Sequence, residues 1–150
     1  MQDLHGTIEY VQAIVPALNT DIGTDTITSK IIDLASSRGC EFILNIGTLT
    51  DMNATYSVTL MHGNTLSGGS QVGRCITGGT ITDSASVSAA LGLVGTAAAA
   101  AFTYANDLVM RTIGYAGVKR YVYIIVGCTG ANSGDTPLSA SCAVWKSKAS

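Results

Sequence analysis

Charged side chains are scarce in this chain. Asp, Glu, Lys and Arg make up 12% of its 150 residues, about half the usual share of a globular domain. Eight Lys and Arg against ten Asp and Glu leave a net charge of −2. That is too weak, and of the wrong sign, to neutralise a nucleic-acid backbone over a broad face. A hydrophobic fraction of 47% excludes extended disorder, which needs low hydrophobicity and high net charge. Long apolar runs are missing as well. The longest candidate, Leu91 to Ala105, is interrupted by Gly92, Gly95, Thr96 and Thr103 and falls short of the ~18 residues of a membrane-spanning helix. No basic segment followed by an apolar run opens the sequence, so no secretory signal is expected.

Motifs that carry chemistry are equally sparse. The two histidines, His5 and His62, lack a metal-ligand spacing and read as surface or turn residues. Dinucleotide-binding, P-loop, nucleophile-elbow and zinc-protease motifs are absent, and Gly68-Gly69 and Gly78-Gly79 read as loop glycines. Cys40, Cys75, Cys128 and Cys142 contain no CxxC pair. Three of them lie in strand-like runs where cysteine behaves as a small hydrophobe, so free thiols are expected. The acids are dispersed, with Asp51 and Asp135 in turn-like contexts, and give no paired-carboxylate signature. No enzymatic activity, metal or cofactor is expected.

What is present is β periodicity. A chain of this length typically buries roughly 68% of its extended surface, enough for one core. Cys40 to Ile46 puts Cys40, Phe42, Leu44 and Ile46 on one face, and Thr55 to Met61 puts Tyr56, Val58 and Leu60 on one face. Further strands are predicted over Thr26 to Asp33, Leu108 to Ile113, Arg120 to Val126 and Leu138 to Lys146, with weak ones at Val72 to Ile76 and Thr80 to Thr82. Turns or loops are expected at Asn19 to Asp25, Ala35 to Gly39, Gly47 to Asn53, Gly63 to Ser70, Gly114 to Gly117 and Thr129 to Thr136. Ser84 to Ala105 reads either as a helix or as irregular structure, because good helix formers alternate there with Gly, Ser and Thr. The fold expected is all-β, an antiparallel β-sandwich or open barrel with an N-terminal arm and an Ala-rich insertion. Residues 1–17 form an arm or edge strand, and 18–150 a single sandwich domain.

Candidate interface residues follow from this frame. In the arm they are Tyr10, Val11 and Ile14. The aromatic group Tyr115, Tyr121, Tyr123 and Trp145 suits either a protein interface or stacking on a sugar. Lys119 and Arg120, the one adjacent basic pair, read as solvated strand ends or as one half of an intersubunit salt bridge. Glu41 reads as a solvent-face or interface charge. The Arg120 to Val126 strand is apolar on both faces, so it is central in a sheet or half-covered by a neighbouring subunit. Between Asp51 and Asp107 the only formal charges are Arg74 and Asp83, and buried or subunit-contacting surface is expected to concentrate there.

Two segments carry a family resemblance. Ile31-Ile32-Asp33-Leu34, continuing through Arg38-Gly39-Cys40-Glu41-Phe42, and Ile113-Gly114-Tyr115 followed by Lys119-Arg120-Tyr121-Val122 resemble small structural proteins of tailed bacteriophages. Val11 to Ala17 is similar to the segment before the first sheet strand of such proteins, so the resemblance spans nearly the whole chain. The segment His62 to Gly69 departs from it by lacking the family's acidic loop, and Ala97 to Ala101 adds an Ala-rich stretch. The resemblance implies a virion location and a capsid decoration role, with the major capsid protein and copies of the chain itself as partners. A minor head-tail or tail role, a carbohydrate- or receptor-binding virion module, and a small coat protein are the alternatives. In this reading Met1 to Pro16 and the Ala-rich segment supply the capsid or neighbour contacts.

Overall fold

The computed structural model describes residues 4–19, 25–130 and 133–147. Most of the turn expected at Asn19 to Asp25, part of the Thr129 to Thr136 loop and the first three residues of the expected arm lie outside the described residues. Fifteen strands occur among the described residues. The first five are β1 (Ile8–Ala17), β2 (Thr26–Thr28), β3 (Ile31–Asp33), β4 (Ser37–Ile46) and β5 (Thr55–Gly63). Five short ones follow: β6 (Leu66–Ser67), β7 (Ser70–Val72), β8 (Cys75–Thr77), β9 (Thr80–Ile81) and β10 (Ala85–Ser86). The last five are β11 (Leu93–Val94), β12 (Phe102–Thr103), β13 (Met110–Tyr115), β14 (Tyr121–Thr129) and β15 (Leu138–Lys146).

They form an all-β sandwich. One sheet has the order β1-β15-β4-β13-β11, the other β10-β5-β14-β3-β8-β7, with β12 also on β5 and β2 also on β14. All the pairings are antiparallel. The alternation read from sequence sets the inner faces. Phe42 and Leu44 of β4, Tyr56 and Val58 of β5, Val122 and Ile124 of β14 and Cys142 and Val144 of β15 all meet in one core. Tyr56 stacks on Phe102 at 4.7 Å, and its hydroxyl lies 2.7 Å from Thr136 Oγ1, so its polar end is satisfied inside the core.

β14 is central, paired with β5 along nine residues and with β2 and β3 on its other side. The segment expected as one strand over Thr26 to Asp33 breaks at Ser29. There the Ser29 hydroxyl accepts the Ile124 N–H at 3.0 Å, while the next residue donates its N–H to Ala13 O of β1 at 2.8 Å. The outer face of β14 is covered from within the chain. The two-stranded sheet of β6 and β9 lays Leu66 and Ile81 against Ile31, Ile76 and Tyr121, with Tyr123 beside them. The expected Gly63 to Ser70 loop thus holds a short strand, β6, and β14 takes the central position that the sequence offered for it.

Residues Ser84 to Ala105 are mostly irregular and extended. The only α-helical turn in them is Ala97–Ala100, capped by the Thr96 hydroxyl accepting the Ala99 N–H. The Gly and Ser/Thr positions break the run into two-residue strands that patch the edges of both sheets.

All four cysteines are free thiols; Cys40, Cys128 and Cys142 are buried, and Cys75 is half-exposed. Neighbouring Cys40 and burial push the Cys142 thiol well above its ordinary range, and burial raises Cys75 more mildly. A water-soluble thiol reagent is therefore expected to label one cysteine, Cys75, in the native protein, faster as pH rises, and four in urea. Native labelling of two or more, or fewer than four in urea, contradicts this packing.

Candidate functional site

Several of the scarce charges are bound inside the chain. Asp33, at the end of β3 and buried, accepts two hydrogen bonds from Arg120, Nε to Oδ1 and Nη2 to Oδ2, both at 2.9 Å. It also accepts the Ala35 N–H at 2.9 Å and Gln71 Nε2 at 3.1 Å. The Arg120 guanidinium, aided by these donors, holds the Asp33 carboxyl down at about 2 against the opposing effect of burial. Arg120 also lies over the Tyr121 ring, 5.0 Å from its centroid. Arg120, read from sequence as a solvated strand end or one half of an intersubunit salt bridge, is half-exposed and bound to Asp33 of its own chain. Arg74 pairs with Glu9 at 2.7 Å and donates to Asp33 O and Ala35 O. Asp83 accepts the N–H groups of Asn64 and Thr65.

A second buried cluster contradicts two expectations. His62, expected at the surface or in a turn, is 4% exposed, and Tyr115, expected at an interface, is 1% exposed. The Tyr115 hydroxyl accepts the Lys119 N–H at 2.9 Å and lies 2.8 Å from His62 Nδ1. The hydroxyl thus bonds two groups at once, the Lys119 N–H and the His62 ring nitrogen. Burial, with Lys119 adding to it and Asp83 opposing, lowers the His62 pKa below its usual value. The sequence did hold a signal: parity along Tyr56, Val58 and Leu60 continues inward to His62, one residue past the predicted strand end.

Above this cluster two loops interlock. The Ala116 N–H donates to Gly92 O at 2.8 Å, and Gly92 (φ +105°) and Gly117 approach so closely that a Cβ on either would strike the other loop's backbone. The tips of these loops carry exposed Leu91 and the almost fully exposed Val118.

The remaining candidates divide. Ile14 is buried and Val11 packs against the core. Tyr121 belongs to the satellite cluster, and the Tyr123 hydroxyl lies 2.8 Å from Ser84 Oγ. Tyr10 and Trp145 are exposed and share the outer face of the five-stranded sheet. Strand register runs Tyr10, Ala143, Glu41, Gly114 and Val94 across that face as one row. Ile43, Met110 and Val94 also sit there and were not among the candidates read from the sequence.

No family model matches the chain, and no curated protein matches it. Solved structures with a similar arrangement include the capsid of Ralstonia phage GP4, with TM-score 0.46 and 14% identity over 97% of this chain and 87% of that one. Bacillus endospore appendages, described as disulfide-linked pili, give 0.38 and 10% over 95% and 90%. Infectious bursal disease virus, Gx strain, gives 0.42 and 12% over 91% of this chain and 31% of the other. No group of three or more His, Cys, Asp or Glu placed to hold a metal occurs among the described residues.

Two outcomes test these clusters. Because the Asp33 carboxyl is depressed in the fold, its contribution is complete above the unfolded carboxylate range and is lost as pH falls through about 2. With Arg120 half-exposed, Asp33→Asn should cost about 1–2 kcal/mol at pH 7 in urea unfolding and flatten the acid limb of the stability curve. His62 has the opposite charge sense: its lowered folded pKa means that stability falls as pH drops below about 6.5 and levels off below the folded value. Tyr115→Phe should cost about 1–3 kcal/mol, because it leaves the Lys119 N–H and His62 Nδ1 without their partner; a neutral effect would show the cluster to be incidental.

Proposed function

We propose that the chain is a structural virion protein that acts by protein contact, as a capsid decoration protein with the major capsid protein and further copies of itself as partners. The observation that carries this reading is the run from Ser84 to Asn106, which holds no charged residue yet leaves Leu91, Val94 and Tyr104 exposed. Such a surface gains little from water and suits burial against protein. The phage-protein resemblance of the Asp33 and Lys119-Arg120 segments supports the same reading. Weak contacts of this kind gain strength through repetition on a symmetric shell.

Residues 8–17, the body of the expected arm, form β1, whose Ala13 and Ile14 are core residues. Deleting the arm would thus unfold the sheet edge as well as remove a contact, and point substitutions at the loop tips give the cleaner test. Particles assembled with Leu91→Asp/Val118→Asp protein should carry at least about tenfold less of it than particles assembled with wild type. An electron-microscopy map of wild-type particles should show its density on the head shell. Unchanged occupancy, or density confined to the tail or neck, overturns the decoration role. Glycan-array binding without particle occupancy would favour the receptor-binding alternative, for which Tyr10 and Trp145 are the exposed aromatics.

A further inference from the structure

The outer faces of the two sheets are treated differently. That of the β14 sheet is partly covered by the paired strands β6 and β9, whereas that of the five-stranded sheet lies open. Its floor is made of small side chains at Ala143, Ser141, Thr112 and Gly114, flanked by exposed Tyr10 and Trp145 on one side and Val94 and Met110 on the other. A cavity of about 400 Å³ opens in this face between Trp145, Val94 and Glu41, with Arg38 and Lys146 at its end.

Glu41 is the one charged residue within the face itself. It is half-buried, and the ion pairs among the described residues are Arg74–Glu9 and Arg120–Asp33, so no cation among them pairs with it. Arg38, three residues earlier on the same strand, is exposed and equally without an ion-pair partner. The pairing of β4 with β15 slips here, Trp145 facing Gly39 and Lys146 facing Ser37. Arg38 is the extra residue of this bulge, a device that re-aims a side chain, and it lines the cavity that Glu41 also lines. The strand therefore presents an unpaired cation and an unpaired anion roughly 10 Å apart along one open face.

A pair of opposite charges on one surface is self-complementary under a two-fold rotation. We propose that two copies of the chain stack the outer faces of their five-stranded sheets about a two-fold axis, Arg38 of each copy meeting Glu41 of the other. Tyr10 and Trp145 flank these ion pairs as aromatic anchors. Sheets stacked this way lie about 10 Å apart. Five strands of up to ten residues offer a face of roughly 600 Å² in projection, near the ~800 Å² per partner of a standard interface. The inference deepens the self-association part of the proposed function and makes no use of shell contacts.

The test is the solution mass of the full chain by sedimentation equilibrium. Wild type should be a concentration-dependent dimer at low salt. Glu41→Arg and Arg38→Glu should each weaken it by at least about tenfold, since each sets like charges against one another. The double variant Arg38→Glu/Glu41→Arg should restore dimerisation, and circular dichroism should stay unchanged in all three, because neither side chain has an ion-pair partner among the described residues. A monomeric wild type, a dimer indifferent to either reversal, or a double variant that fails to recover overturns the proposal. Particle occupancy of the Leu91→Asp/Val118→Asp variant reads the shell contact separately, so failure of either reading leaves the other standing.

Discussion

A carboxylate removed from water must be matched by donors, and the way Asp33 is matched sets the layout of one end of the molecule. It lies at the end of a three-residue strand held between β14 and β8, and its side chain gathers Arg120, Ala35 and Gln71. These donors come from segments up to 87 residues apart in sequence. Arg74 adds a second tie by bonding to Asp33 O while pairing with Glu9 on β1. Together these contacts join an edge strand of one sheet to the turn before the central strand of the other. Charges embedded this way fix which segments meet more than they add net stability, since burial opposes them.

The same contacts withdraw part of the charge from the surface. Of the few charged groups, Glu9, Asp33, Arg74 and Arg120 bind one another. Asp51 accepts the N–H groups of Asn53 and Ser133, and Asp83 those of Asn64 and Thr65. What remains outward between residues 84 and 106 is Ala, Ser, Thr, Gly and exposed Leu and Val. Part of the low charged fraction is thus spent on internal ties, beside an exterior that carries no charge over this run.

Strands with one face in the core were legible because alternation is a local property: β4, β5, β14 and β15 each bury the parity read from their residues. Legibility failed where a residue's role depends on distant partners. Nothing near Tyr115 in sequence shows that it turns inward to meet His62, 53 positions away, and nothing near Arg120 reveals Asp33. The two-residue strands of residues 63–106 are too short for a period to register, and they exist because neighbouring edges offer them hydrogen bonds. For the candidate surface, Tyr10 and Trp145 were visible as aromatics. The row that joins them to Glu41 and Val94 required cross-strand register, which residue order alone does not carry.

How such a molecule can associate is constrained by its edges. An open edge strand would invite strand addition and open-ended growth, and β1, ten residues long, is the obvious danger. Its free side is occupied: Ala13 O accepts the Lys30 N–H, Gln12 O accepts the Cys75 thiol, and Glu9 is held by Arg74. Pro16 near its end lacks a donor altogether. The opposite edge of that sheet, β11, is two residues long, and the other sheet ends in the three-residue β7. With strand addition blocked or too short to hold, faces and loop tips are left for association. A face bearing one cation and one anion closes on itself as a pair, whereas the uncharged loop tips at Leu91 and Val118 lie beyond the sheet and remain free for a different partner. Closed pairing on one surface and shell contact on another are therefore compatible in a single chain.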